Sequence, residues 1–579
     1  MYKIRPHNEK LYGELIGHGY NKIVSLLLSQ RLNTMDEAMR ILRPDEVDYN
    51  IDELKDSMNA AELILEHINK GSLIVIISDY DSDGCNANAF LFRALTEYFN
   101  MPKEKVIQIT NERIYKNGVN MEMLKRVLEI NSDNHVGLVI TVDHGTYDDD
   151  RYEIMRQKDI DVITTDHHLL PESGGPKFAN VFVNPQRPDC KFNKNISGAT
   201  VIYFVMKQLY NLHNIYDIKI AKRDDLLSLL PLIALTVISD QMSLQDPLNR
   251  VLLRDGLEEA NKLEDTIWKT LSSVGEIDFP INEDTFGFNI GPIINAGGRM
   301  GNAHLATMFL SETDYGKSKT YLRNLVDLNK SRKDLQSRLL TIANKQVSQF
   351  TKSYKHTIVN ILPEGHGVGG IVASMVGERY MKPIFVFSDV GDNVLMGSGR
   401  AILDQFDIKK ALDYVHEKDS TILTKYGGHA GAAGAEMKRE DAAKFFALFD
   451  EATGVQLKDK GIDDVNYYYD LDLPPKFLTT SILKVISKIG PFGNKWHKPI
   501  FSSKFLVKNI MKVGADKRHL VVNLIPELGY SKINAFYPNY DIKKYSLLDS
   551  NEANIIYNIT VDRGDRVRLL IEDVYKGSV

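Results

Sequence analysis

Three aspartates on one short segment, Asp79, Asp81 and Asp83 in the run SDYDSDG, constrain this chain more than any other feature. They follow an all-apolar stretch, Leu73-Ile74-Val75-Ile76-Ile77, which reads as a buried strand. Like charges that close repel one another. A divalent cation relieves them, and oxygen ligands on alternate residues suit Mg²⁺ or Mn²⁺. The remaining ligands of such an ion must come from elsewhere in the chain.

The downstream pattern supplies them. From 71 to about 250, apolar strands (Leu73–Ile77, Val106–Ile109, Leu138–Val142, Val162–Thr165, Val181–Val183) alternate with amphipathic stretches such as Ala87–Phe99 and Met121–Glu129. Near-continuous apolar strands alternating with helices predict a parallel sheet covered on both faces. Ligands of such sheets gather outside the carboxyl ends of the strands. Asp143 follows the third strand, Asp166-His167-His168 the fourth, and Asp240 the apolar segment Leu229–Ile238. Each residue alone has a plainer reading, as a solvated turn or a helix N-cap. Their joint placement at successive strand ends points to metal. Five carboxylates and one or two imidazoles exceed the needs of one ion. They suit two ions bridged by a carboxylate, an arrangement that hydrolyses phosphate esters.

At 579 residues the chain is too long for one core. Its 43% hydrophobic and 26% charged content is that of an ordinary soluble protein. Two cysteines, Cys85 and Cys190, exclude a disulfide framework or a thiolate zinc site. MYKIRPHNEK has no signal-peptide core, and the longest apolar stretch, Leu226 to Ile238, is too short to span a bilayer, so a cytoplasmic location is expected. The net charge of −6 gives no global basic field, so any grip on a polyanion must be local.

The fold class expected is α/β: two α/β domains joined by a long helix, followed by a small β-barrel. Residues 1–70 read as a helical lead-in, with a capping box at Thr34-Met35-Asp36-Glu37. Residues 71–315 form the first α/β domain, with an interrupting loop FGFNIGPIINAGGRMGNA. Residues 316–350 form a charged connecting helix whose Lys330, Arg332, Lys333 and Arg338 read as a solvated face. Residues 351–455 form the second α/β domain, with glycine-rich loops at Gly397-Ser398-Gly399-Arg400 and Tyr426-Gly427-Gly428-His429. Residues 460–579 show the short alternating strands of a barrel. Here Lys504, Lys508, Lys512, Lys517, Arg518 and Lys532 accompany Phe501, Phe505 and Phe536, a pattern for stacking bases, although any single Phe is more simply core.

The segments SDYDSDG, TVDHG, TTDHH and VISD, in that order, resemble the DHH phosphoesterase superfamily. GPIINAGGRMG, GSGRA and KYGGHAGAAG further resemble the RecJ-type single-stranded-DNA-specific exonucleases, whose second domain is DHHA1 and whose terminal barrel is an OB fold. The likeness runs from LLSQRLNTMDEAMRILRP to IGPFGNKWHKPIF, and the modest length and diverged spacers resemble a phage or prophage member. The resemblance implies two cations, Mn²⁺ in preference or Mg²⁺. Asp79, Asp81 and Asp143 would hold one; Asp83, Asp143, His167 and Asp240 would hold the other. It implies that His168 faces the scissile phosphate and Asp166 orients a histidine. Asn295 and Arg299 would approach the substrate backbone. Ser398 and Arg400 would grip a 5′-phosphate, with His429 in the same cleft. The implied activity is 5′→3′ hydrolysis of single-stranded DNA to 5′-mononucleotides in recombination, repair or replication. The implied context is a monomer acting with single-strand-binding protein or a helicase, away from membranes.

The chain departs from the pattern in four places. His144 stands where asparagine is usual, and could add a ligand or simply hydrogen-bond the site. Cys85 replaces an aliphatic residue. Glu112 occupies the place of a phosphate-binding arginine, so Arg113 is expected to reach that phosphate instead. LPEGHGVGGIVAS is shortened, which leaves the role of His366 open. Two rivals are a DHH phosphodiesterase on short oligoribonucleotides or cyclic dinucleotides, and a non-catalytic replication scaffold. The intact acids and imidazoles argue against the scaffold.

Overall fold

The computed structural model describes residues 2–113, 118–213, 220–275, 277–365, 367–403, 405–457, 467–514, 517, 519–526, 531–540, 544–548, 552–561 and 566–575. His366 and Arg518 lie outside them. The chain forms two compact units. One combines Met1–Asn50, Gln241–Asp255 and Val465–Val579; the other combines Ile51–Asp240 and Gly256–Asp464.

The chain opens with strand β1 (Tyr2–Ile4) and three short helices, Glu9–Gly17, Lys22–Ser29 and Met35–Leu42. The last begins at Thr34, whose side chain accepts from Glu37 N while Glu37 reaches back, a closed capping box.

The larger unit begins with a parallel sheet of β2 (Leu73–Ser78), β3 (Val106–Thr110), β4 (Val136–Val142), β5 (Asp161–Thr165) and β6 (Val181–Val183), in the order β3-β2-β4-β5-β6. Every residue of β2 and β4 is buried, as helices on both faces require. Ser78 pairs with Val142, and Val142 with Thr165. The carboxyl ends of β2, β4 and β5 are therefore level, and the next residues, Asp79, Asp143 and Asp166, leave the sheet at one edge.

The segment expected as an interrupting loop is helical instead. It forms a π turn, Phe286–Ile290, and the helices Gly291–Arg299 and Ala303–Ser311. Its glycines serve close packing rather than turning. A Cβ on Gly298 would collide with the carbonyl oxygen of Tyr80, in the aspartate loop. The connecting helix runs from Tyr315 to Phe350. Its inward face carries Leu322, Leu325, Leu339, Leu340, Ala343 and Val347, and with them Arg332, which is buried rather than solvated.

The second sheet holds β7 (Ile358–Leu362), β8 (Ile384–Asp389), β9 (Val394–Arg400), β10 (Leu423–Gly428) and β11 (Ala432–Lys438), ordered β10-β11-β9-β8-β7. Both expected glycine-rich loops are strand. Gly397-Ser398-Gly399-Arg400 ends β9, and Tyr426-Gly427-Gly428 ends β10. The reason is aromatic. A Cβ on Gly397 would lie 2.5 Å from the Phe387 ring, and one on Gly399 would run into Phe385, so the strand is bare where two rings pack beneath it.

In the smaller unit, β12 (Tyr467–Tyr469) pairs in parallel with β1, and β13 (Leu471–Asp472) with β14 (Phe501–Val513). β15 (His519–Ile525), β16 (Ile533–Tyr537), β17 (Glu552–Val561) and β18 (Val567–Tyr575) complete a barrel in the order β14-β15-β16-β18-β17, closed by β14–β17 pairing. Phe501 and Phe505 are its core. Phe536 is half-buried, with the His519 ring tilted against it at 5.6 Å and the Arg568 guanidinium 5.3 Å from its centre. Asp470, fully buried, draws the lead-in onto this unit: Arg5 Nε and Arg31 Nη2 donate to its two oxygens at 3.0 and 2.6 Å. The guanidiniums of Arg31 and Arg250 each lie 5.8 Å from the centre of the Trp496 ring. Among the described residues no helix is long and apolar enough to cross a membrane.

Candidate metal centre

The aspartate loop turns directly into the helix Ser82–Arg93. Asp81 is its N-cap, and Oδ1 accepts from Asp83 N (3.0 Å) and Gly84 N (3.2 Å). Asp83 points the other way. Its oxygens accept from Gly198 N (2.7 Å) and Ala199 N (3.0 Å), the first amides of the helix Gly198–Leu212. Gly198 is needed there, since a Cβ would lie 2.5 Å from Asp143 Oδ1.

Asp143 is buried with φ at 62°, the left-handed region that only a few non-glycine residues occupy. His167 donates from Nδ1 to the Ile196 carbonyl at 2.9 Å. That leaves Nε2 facing three carboxylates: Asp143 Oδ1 at 3.2 Å, Asp240 Oδ2 at 3.6 Å and Asp83 Oδ2 at 3.7 Å. Ligand atoms of Asp83, His167 and Asp240 all lie within 4.8 Å of one another, as do those of Asp143, His167 and His168. Asp79 and Asp81 stand beside these clusters and act on them electrostatically.

The acids carry the mark of a missing countercharge. Burial, and then Asp81, push Asp79 up to about 7. Burial and Asp83 raise Asp81 and Asp240. Burial raises Asp143 well above the carboxylate range, with Asp83, Asp81, Asp240 and Asp79 adding to it. Asp79 Oδ1 and Asp143 Oδ1 are buried acceptors without a hydrogen-bond donor. Orphaned carboxylate oxygens around an imidazole nitrogen fit divalent cations.

Asp166 is of a different kind. It is buried, yet His167 N, His168 N, His168 Nδ1, Thr146 N and Thr146 Oγ1 all donate to it. Burial alone would raise its pKa, but the bond and charge of His168 hold it below the ordinary range. In return, against the pull of burial, Asp166 lifts His168 to about 9. His168 is half exposed and carries a proton at neutral pH. His144 is in neither ligand cluster. Its ring nitrogens are buried without hydrogen-bond partners, Nδ1 is 4.0 Å from Asp148, and burial lowers it to about 4. Cys85 is buried against the carbonyls of Tyr80 and Ala303, its thiol raised far above the ordinary range by burial.

Beside the acids lies a set of arginines without carboxylate partners among the described residues. Arg113 sits 5.5 Å from the centre of the Tyr80 ring. Arg299 donates from Nη1 to the Gly367 carbonyl at 3.0 Å, and burial together with the charges of Arg113 and Arg332 lowers it to about 10. Arg400 donates to the Gly399 carbonyl, and burial and Arg113 lower it too. Ser398 is two residues back on β9, so it shares a strand face with Arg400. Glu112 turns away, Oε1 accepting from Ala303 N. Asn295 serves the metal loop: its Oδ1 accepts from Ser82 N at 3.0 Å. His429 is exposed in the turn from β10 to β11, where its N–H donates to the Ala432 carbonyl, and is not a core histidine. Sequence reasoning missed the supports, namely Thr146 under Asp166, Ile196 behind His167, and the Gly198–Ala199 amides under Asp83. Only the last left a signal, Ser197 as a helix N-cap.

A fold of this order with acids and imidazoles at the sheet's edge defines the class of DHH phosphoesterases. Residues 73–231 match the DHH family, N-terminal domain; residues 365–454 match the DHHA1 domain; and residues 469–573 match the RecJ OB domain. The single-stranded-DNA-specific exonuclease RecJ of Haemophilus influenzae is 27% identical over 94% of this chain and 93% of its own length. The crystal structure of RecJ in complex with Mn²⁺ from Thermus thermophilus covers all of this chain and 79% of its own, with a TM-score of 0.77 at 23% identity. A crystal structure of exonuclease RecJ bound to manganese covers 72% of this chain and 100% of its own, with a TM-score of 0.58 at 26% identity. The chain thus carries regions similar to the DHH, DHHA1 and RecJ OB domains in that order, and over nearly its whole length it is similar to the RecJ exonucleases.

Proposed function

We propose that this chain is a metal-dependent exonuclease that hydrolyses single-stranded DNA from its 5′ end to 5′-mononucleotides. The observation that carries the reading is the group of buried, mutually raised carboxylates around His167 Nε2. Asp79, Asp81 and Asp143 would hold one divalent cation, and Asp83, Asp143, His167 and Asp240 a second, Mn²⁺ or Mg²⁺. When bound, such ions supply an activated water and stabilise charge on the phosphate under attack.

The residues themselves do the rest. His168, kept protonated by Asp166, donates toward a phosphate oxygen or the departing 3′-oxygen. Asp166 is itself fixed by Thr146. Arg400, Ser398 and Arg113 would hold the terminal 5′-phosphate, Arg because its fork matches two oxygens. Arg299 would hold the backbone near the metal loop, Asn295 would set the start of the Ser82–Arg93 helix, and exposed His429 would border the same cleft. The barrel would bind the strand beyond, with Phe536 and Arg568 as a stacking surface. The proposal includes a cytoplasmic monomer working with single-strand-binding protein or a helicase; sedimentation of the purified chain alone and mixed with each tests this.

The experiment is a digest of end-labelled single strand with Mn²⁺ and with chelator, alongside Asp143→Asn. Mononucleotides should appear from the 5′ end only with metal. The variant should lose at least about 10³-fold in rate while still unfolding in one cooperative transition. Cleavage in chelator, or by the variant, would reject the two-cation reading. Faster turnover of dinucleotides than of long strands would favour a short-oligonucleotide phosphodiesterase.

A further inference from the structure

Arg332 lies on the inward face of the Tyr315–Phe350 helix, 7% exposed. That helix packs on the helix ending at Arg299 and on Gly369–Tyr380 of the second domain. Nε and Nη2 of Arg332 donate to Asn329 Oδ1 at 3.0 and 2.8 Å, and Nη1 to Gln336 Oε1 at 2.8 Å. Both partners sit on the same helix, three residues before and four after. These bonds fix the guanidinium without tying the helix to a neighbour. Three of its five N–H groups are used, and two remain.

Other buried arginines of this chain behave differently. Arg93 joins Glu97 and Asp265 at 2.6 and 2.5 Å. Arg250 reaches across to backbone carbonyls of Leu244, Ile489, Gly490 and Pro491. Arg332 has no carboxylate among the described residues, and its charge instead falls on Arg299. A buried cation beside a second cation destabilises a fold. Such an arrangement is sensible when an anion arrives between them.

We propose that Arg332 is a phosphate-holding residue of the single-strand cleft, acting beside Arg299. The inference rests on the nuclease reading above and adds to it a residue on the connecting helix, so that the strand itself bridges that helix and the metal loop. Asn329 and Gln336 then aim the fork, and Arg rather than Lys is suited to it by planarity.

The test measures binding of fluorescent single-stranded DNA to the full chain in chelator, where no cleavage occurs, over a range of salt. Arg332→Gln should bind about tenfold more weakly, with a salt slope lower by about 0.7, the share of one phosphate contact on a single strand. Its melting temperature without DNA should stay level or rise, because a repulsion has been removed. Asn329→Asp is the second variant. It pairs the guanidinium with a carboxylate inside the helix, and should weaken binding while raising stability. If both variants bind within twofold of wild type with an unchanged slope, Arg332 holds no phosphate. A wild-type chain that cuts single strands while both variants bind normally sinks this inference alone. A wild-type chain that neither binds nor cuts them removes the nuclease reading as well.

Discussion

Asp143 combines a left-handed backbone, deep burial and an oxygen without a donor. Such a residue weakens the metal-free fold and is retained for what it binds. Asp79 shows the consequence with pH. It titrates near 7 when folded and near 4 when unfolded, so between those values the folded chain keeps a proton that the unfolded chain releases. Asp79's share of metal-free stability is then full in acid and falls as pH rises toward 7, while buried His144, lowered to about 4, acts in the opposite sense below pH 6.5. In chelator, the midpoint of the wild-type chain should therefore fall between pH 5 and 7.5 relative to that of Asp79→Asn; an identical pH dependence of the two would contradict the burial of Asp79. Asp143→Asn should raise metal-free stability at pH 7.5 by about 1 kcal/mol. The acids and histidines of the centre were legible because each follows a strand, where a local pattern fixes its position. Arg332 was not, because one arginine in a charged helix looks the same whether it faces water or protein.

At the level of elements, the sheets read well from the chain and the glycines did not. Alternating apolar runs announced β2 to β5, since a strand buried on both faces leaves no other pattern. Gly397, Gly399 and Gly298 suggested loops because glycine usually marks turns. Here they mark places where a ring or a carbonyl comes too near for a side chain. Gly298→Ala drives a methyl into the Tyr80 carbonyl, and so presses the helix Gly291–Arg299 against the metal loop. The expected result is a fold weakened by about 1–3 kcal/mol and a loss in kcat larger than any change in KM. Calorimetry and steady-state kinetics on the same preparation check both; an unaltered kcat would mean that the loop tolerates displacement.

Across the whole molecule, the smaller unit is assembled from three stretches of chain that are far apart in sequence. No local pattern reveals that the first fifty residues belong with a barrel beginning after 465, so the lead-in reads as a separate piece. A truncation ending at 464 should therefore do more than remove a DNA-binding surface. It strips Arg5 and Arg31 of Asp470, β1 of β12, and Arg250 of its carbonyl partners at Ile489, Gly490 and Pro491. Hydrogen exchange on the truncated chain should show residues 2–50 unprotected, and protection equal to that of the full chain would show that they fold unaided. The same pairing sets an order of birth. At about 5–20 residues per second, a ribosome reaches the partner of β1 on the order of half a minute to a minute and a half after making β1 itself. Throughout that interval the helices between Glu9 and Leu42 wait with their apolar sides uncovered, so a cell must shield them until the strands from Tyr467 onward emerge.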